Sequence, residues 1–148
     1  MYSHILIATD GSELGDRAVE QGLALAGPLA AKATVLTVAR PLEPAAARAA
    51  AAGGVDDPVM RYDQQIDIDM KQQFVSIERR AEAYGVVANL MHEIDDHPAE
   101  AIVRFAKLKG CDLIVMASHG RHGVQRLLLG SQTAEVLANT TISVLVVR

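Results

Sequence analysis

An open parallel β-sheet with helices on both faces is the fold class this chain predicts, on three observations. Five short apolar runs with β-branched members alternate with longer stretches of helical periodicity, the pattern of an α/β fold. The first run, at the chain start, is apolar throughout rather than alternating, so it is expected to lie centrally with both faces covered. Half of the 148 residues are hydrophobic but only 3% are aromatic, so the core must be built from Ala, Val, Leu and Ile, as such sheets often are. That length suits one domain, residues 1–148, with a real core and no room for a second.

The first strand is Ile5 to Ala8, ended by Thr9-Asp10-Gly11-Ser12. Ser12 can cap a helix through about Ala26, with Leu14, Ala18, Leu23 and Ala26 on one side, and Gly27-Pro28 is expected to stop it. Ala33 to Val38 is the second strand by its β-branched content. From residue 40 to about 65 the pattern dissolves. Prolines, a run of alanines and Gly53-Gly54 leave little to bury, which predicts a mobile crossover or spacer in which the alanines form at most a short helix. Met70, Phe74, Ile77, Ala81 and Tyr84 then recur at helical spacing as a core stripe, and Gly85 closes that helix. Val86 to Met91 is the third strand. Pro98 opens the next helix at a position where a missing N–H costs nothing. Its core residues are Ile102, Val103 and Ala106, and Gly110 ends it. Leu113 to Met116 is the fourth strand, Ser131 to Asn139 the last helix, and Ile142 to Val147 the last strand.

Composition excludes several classes of function. The net charge is −4, from 14 Lys and Arg against 18 Asp and Glu, and no basic cluster stands out. Nucleic acid is therefore not the expected partner. Cys111 is the only cysteine, which rules out an intramolecular disulfide and fits a reducing compartment. The chain start lacks a basic leader, and the apolar stretch from Leu23 to Val38 is interrupted by Gly27, Pro28 and Lys32. No export or membrane span is expected, and the cytoplasm is the expected location.

Asp112 to Thr133, DLIVMASHGRHGVQRLLLGSQT, carries the chemistry. A buried strand runs into the small-residue segment Ala117-Ser118-His119-Gly120, and Gly130-Ser131 then opens a helix. Small residues let backbone approach a ligand closely, and Ser131 can cap a helix whose free N–H groups and positive dipole end suit an anion. No Gly-Lys-Ser/Thr and no G-x-G-x-x-G after the first strand is present, so the best-known phosphate loops are excluded. Spacing alone leaves two readings equally open: a phosphate cradle, or ordinary turn and cap glycines at Gly120, Gly123 and Gly130. The His119 and His122 pair lacks the further ligands a zinc site needs.

The segment resembles the nucleotide loop of the universal stress protein family, Gly-x-x-Gly, nine residues, then Gly-Ser/Thr. Ala117 to Gly120 is the first element here, Arg121 to Leu129 the spacer and Gly130-Ser131 the close. The resemblance extends over the whole chain through the DGS after the first strand, LLLGS and the closing SVLVVR. Ala117 stands where the family has glycine, which costs on the order of 1 kcal/mol if that site needs positive φ. Asp96-His97-Pro98 and Ser143 are two further departures, the second harmless.

What the resemblance implies is a Rossmann-like five-stranded sheet in the order 3-2-1-4-5 and a stress-associated protein that binds ATP, with or without Mg²⁺, as a homodimeric sensor or switch. It places Ala8 and Val38 near the adenine and Asp10, with Thr9 beside it, near the nucleoside. It places Met116, Ala117, Ser118, His119, Gly120 and Arg121 along the ligand, and Gly130, Ser131, Gln132 and Thr133 at the β- and γ-phosphates. From the residues alone Asp10 is equally a turn aspartate, and Arg121 and Arg126 are equally solvated. Two other readings stand beside this one. A slow ATP-hydrolysing or phosphoryl-transfer enzyme needs a metal clamp and a positioned base, for which no paired carboxylates are evident. A dimerising module without nucleotide is opposed by Gly120 and Gly130-Ser131. The last strand, at the sheet edge in this order, is apolar and needs a cover, so a homodimer through it is expected. An unidentified regulatory protein is the other expected partner.

Overall fold

Five strands, all parallel, form one sheet in the order β3-β2-β1-β4-β5. The structure, a computed structural model, describes residues 1–120 and 129–148. Its elements run β1 (His4–Thr9), α1 (Glu13–Leu29), β2 (Lys32–Ala39), α2 (Pro44–Ala52), α3 (Pro58–Ala83), β3 (Ala88–Ile94), α4 (Pro98–Leu108), β4 (Leu113–Ala117), α5 (Ser131–Asn139) and β5 (Ser143–Val147).

Alternate side chains of each strand enter opposite cores, because the pleat has a period of two. Ile5, Ile7, Val35 and Val115 pack with Val19, Leu23 and Ile77 under α1 and α3. Leu6, Leu36, Ile114 and Met116 pack with Ile102, Val103 and Val136 under α4 and α5. β1 is the central strand, and Ile5, Leu6 and Ile7 are fully buried. Each such side chain contributes roughly 1.5–3 kcal/mol of burial.

Most boundaries fall within a residue of the sequence reading, and three regions depart further. α1 runs through Gly27-Pro28 to Leu29. The residue before a proline is normally pushed out of the helical region by a clash with its Cβ, and Gly27 has none. Ala30 then takes the left-handed conformation, φ 50°, and its N–H donates to the Gly27 carbonyl at 3.0 Å. The segment from 40 to 65, expected as a mobile crossover, holds α2 and the first turns of α3. Alanine has the best helix propensity of all residues, and Pro44 and Pro58 sit where a helix start tolerates them. The Asp57 carboxylate caps α3 by accepting the Met60 N–H at 3.3 Å. β3 begins later than expected, because the Val86 N–H is spent closing α3 on the Ala81 carbonyl at 2.9 Å. Val87 is 94% exposed, and the strand then continues past Met91 to Ile94 beside Ala39.

Among the described residues no helix is long and apolar enough to cross a membrane. Cys111 is buried, and desolvation with the nearby Asp112 charge pushes its thiol up to about 11. It is a packing residue rather than a thiolate.

Asp112 ties the start of β4 to the start of β1. Its carboxylate accepts the Ser3 N–H and hydroxyl, each at 2.8 Å, and the His4 N–H at 3.0 Å. Burial pushes this carboxyl up, but the hydrogen bonds outweigh it and hold the group below its ordinary value. A depressed carboxyl stabilises the fold fully above the ordinary value of about 4, and that stability is lost as pH falls through the folded-state value. Asp112→Asn should therefore flatten the fall of urea-unfolding stability below about pH 4. An unchanged slope would remove Asp112 from the acid response.

Candidate functional site

At the carboxyl end of the sheet the chain leaves β1 toward α1 on one face and leaves β4 toward α5 on the other. Loops that part in this way open a crevice where the strand order reverses. A cavity of about 600 Å³ lies there, within the range typical of small-molecule sites. Ala8, Thr9 and Asp10 line it from β1, Val38 from β2, and Met116, Ala117, His119 and Gly120 from β4 and its loop. Gly130, Ser131, Gln132 and Thr133 line it from the start of α5.

Asp10 braces the turn it belongs to. One carboxylate oxygen accepts both the N–H of Ser12, at 3.0 Å, and its hydroxyl. The Ser12 hydroxyl in turn accepts the Gly15 N–H at 3.0 Å and caps α1. Thr9 accepts the Gly11 N–H through its own hydroxyl at 3.2 Å. The other oxygen of Asp10 faces Gly120, where an added Cβ would stand 2.7 Å away. A side chain at Gly120 would have to displace the Asp10 carboxylate, so the glycine lets the β4 loop lie against Asp10.

Three hydrogen bonds lock the loop to α5 and β5. The Ser118 N–H donates to the Val147 carbonyl, and the Gly130 N–H to the Ser118 carbonyl, both at 2.7 Å. The Thr133 hydroxyl donates to the Ala117 carbonyl at 2.8 Å. Ala117 is the last residue of β4, paired with Val147, and its φ is not positive. The glycine-to-alanine cost considered above does not arise.

Several expected contributions are reassigned. Gly130, not Ser131, occupies the cap position of α5, with φ −62° and ψ 154°, and Ser131 is the first helical residue. Among the described residues no side chain caps this helix, so the N–H groups of its first turn face the crevice without intrahelical partners, the geometry that suits an anion. The Gln132 side chain is spent elsewhere: its Oε1 accepts the Ala99 N–H at 2.9 Å at the start of α4, where His97 supplies no side-chain cap. Thr133 is 2% exposed and holds the loop. Ser118 is buried scaffold and does not line the cavity. Its hydroxyl lies 3.2 Å from His119 Nδ1. Arg121, and with it His122 and Arg126, falls outside the described residues.

The crevice has walls of contrasting character. Ala8, Leu36, Val38 and Met116 form an apolar side with Pro98 and Ile102 of α4. Opposite them α3 contributes Tyr62, Ile66, Asp69, Met70 and Gln73, joined by Thr37 and Arg40. Sequence reasoning missed this second wall. Ile66, four residues before Met70, extends the recognised stripe toward the chain start, which was the available signal. The Tyr62 hydroxyl donates to the Arg40 carbonyl at 2.8 Å and fixes α3 to the end of β2. A separate concavity near Val59, Met60 and Ile68 is lined only by Asp57 and the first turns of α3, with no opposing wall to hold a ligand.

The family model of the universal stress protein family matches residues 1–148. Universal stress protein YxiE of Bacillus subtilis is 31% identical over 152 residues, covering all of both chains. The solved structure of MJ0577, from Methanocaldococcus jannaschii, superimposes with a TM-score of 0.82 at 26% identity, over 99% of this chain and 96% of that one. Two more distant structures share the fold. One is a universal stress protein in complex with cAMP (TM-score 0.69, 22% identity, 99% and 97% covered). The other is that from Archaeoglobus fulgidus in complex with dAMP (TM-score 0.67, 17% identity, 99% and 98% covered).

Proposed function

The chain belongs to the universal stress protein family, and from that premise we propose that it binds an adenine nucleotide, ATP with or without Mg²⁺, in the crevice between β1 and β4. One observation carries the reading: a helix start at Gly130 that no described side chain caps opens onto a cavity with one apolar wall. That pairing suits a molecule with an anionic chain at one end and a flat, largely apolar ring at the other.

In this reading Ala8, Val38 and Met116 pack on the base, and Asp10 with Thr9 faces the ribose. The backbone of Ala117 to Gly120 and the first turn of α5, from Gly130 through Thr133, surround the phosphates, with Arg121 alongside. Ser118, Gln132 and Thr133 act by shaping that cradle, since their side chains already serve the scaffold. Any Mg²⁺ arrives with the phosphates. The protein works as a cytoplasmic homodimer whose nucleotide state is read by a regulatory protein, and the cAMP and dAMP complexes of distant relatives support the choice of an adenine nucleotide.

Titration calorimetry with ATP, adenosine and inorganic tripolyphosphate tests the reading. ATP should bind more tightly than either fragment, because it fills both ends of the crevice. Absence of saturable ATP binding at millimolar concentration would contradict it. The competing enzymatic reading is disfavoured by Asp10, whose carboxylate is engaged with Ser12, and by the absence of any lysine among the described lining residues. Phosphate release from ATP and Mg²⁺ should stay well below about 1 s⁻¹, the lower end of ordinary enzyme turnover. A faster rate would restore that reading.

A further inference from the structure

We infer that Thr37 and Gln73 form a neutral hydrogen-bonding subsite on the α3 side of the crevice that takes the amino-bearing edge of the ligand's base. The inference rests on the nucleotide reading above and adds to it the ligand's orientation and the basis for choosing among bases.

Four threonines are buried among the described residues, and three of them have partners. Thr9 accepts the Gly11 N–H, Thr34 meets His4 Nε2 at 2.9 Å, and Thr133 donates to the Ala117 carbonyl. Thr37 is the exception. It is 2% exposed, and its hydroxyl has no partner. Oε1 of Gln73 is likewise buried and unpartnered. Folded proteins seldom leave such atoms unsatisfied, because a buried polar group without a hydrogen bond costs more than the bond returns. Both residues line the same cavity, Thr37 from β2 and Gln73 from α3; their oxygens are enclosed, so a side-chain turn on binding brings them to a molecule that supplies the missing partners.

Chemistry narrows the kind of group that fits. A hydroxyl donates or accepts, whereas an amide oxygen only accepts. With Oε1 turned inward as it is here, the group beside Gln73 carries an N–H or O–H donor, and the one beside Thr37 can be a ring acceptor. A phosphate is unsuited to Gln73, whose oxygen needs a donor that a phosphate lacks, and Asp69 sets a carboxylate on this wall against the Arg40 cation. A 6-aminopurine offers a donating amino group next to an accepting ring nitrogen. A 6-oxopurine offers the reverse and sets two acceptors against each other at Gln73. The phosphates then extend the other way, to the start of α5.

Thr37→Val and Gln73→Leu variants test this, with titrations of adenosine, inosine and inorganic tripolyphosphate beside thermal unfolding without ligand. The parent should prefer adenosine to inosine. Each variant should lose about five- to tenfold in adenosine affinity, the worth of one hydrogen bond, with tripolyphosphate affinity unchanged. The unliganded Thr37→Val protein should unfold about 2–4 °C higher, because an unpaired buried hydroxyl has been removed. Adenosine affinity equal to the parent's in both variants would overturn the inference while leaving nucleotide binding intact. A fall in unliganded Tm would identify Thr37 as a structural hydroxyl and would also overturn it. Failure of the parent to bind ATP would refute the nucleotide reading itself, and this inference with it.

Discussion

Gly130→Val protein should remain folded yet bind ATP at least about tenfold, and up to about a hundredfold, more weakly than the parent. The backbone at Gly130 is extended, with φ −62°, so valine meets no forbidden dihedral there. The effect comes from crowding. A Cβ at this position would stand 3.0 Å from His119 Cα, 3.3 Å from its Cβ and 3.4 Å from the Ser118 carbonyl oxygen. Valine adds two methyl groups to that contact and wedges the β4 loop away from the start of α5. The hydrogen bond from the Gly130 N–H to Ser118 must then lengthen, and the two halves of the phosphate cradle part. Overpacking of this kind costs about 1–3 kcal/mol of stability, which α5 can bear because Val136 and Thr133 remain buried. Losing two charge-assisted contacts at roughly 1.5 kcal/mol each corresponds to about the upper end of the predicted loss. Adenosine has no phosphates and should lose much less. Circular dichroism confirms the fold, and parental ATP affinity in a folded variant would move the triphosphate elsewhere.

Charging the edge strand should abolish the proposed dimer. Among the described residues β5 lies at the edge of the sheet and pairs only with β4. Leu145 is 37% exposed, and Val144 and Val146 are half-buried. An apolar edge of this sort pairs with another chain unless something covers it. Leu145→Lys should therefore weaken self-association by about thirtyfold or more, the cost of burying an unpaired charge in an interface. Sedimentation equilibrium reads the result directly, and a dimer of parental affinity would place the interface on another face. Deleting the strand is a harsher experiment. Val147 is 2% exposed, and its carbonyl anchors Ser118, so truncation after Ser143 should strip a wall from β4 and yield insoluble or unfolded protein.

Elements bounded by breakers were readable from the residues. β1 and β4 are apolar runs ending at Asp10 and at the Ser118-His119-Gly120 loop, and α5 was placed residue for residue from Ser131 to Asn139. The strand order came from the family resemblance, since apolar runs by themselves do not say which neighbour each will choose. The sequence points to Gly130 as a residue that leaves a ligand's path clear, and the structure adds a reason no local pattern shows, its packing against the His119 and Ser118 backbone. Gln132 and Thr133 look like phosphate donors in the sequence, yet one caps α4 and the other ties down Ala117. Such long-range use of a polar side chain leaves no local pattern. The α3 wall was hidden for a related reason: Asp69 and Gln73 interrupt the apolar stripe and read as solvated surface, and only the tertiary fold turns them toward the cavity.

Amide chemical-shift mapping of the ¹⁵N-labelled protein during an ATP titration tests the central claim most directly, because it reports position as well as binding. Saturable shifts should concentrate at Asp10, Val38, Gly120, Gly130, Ser131 and Thr133, which line one crevice. Lys32 and Leu113, at the opposite end of the sheet, should stay in place. Shifts gathered instead on the outer face of α3 around Val59, Met60 and Ile68, or none that saturate, would contradict nucleotide binding between β1 and β4.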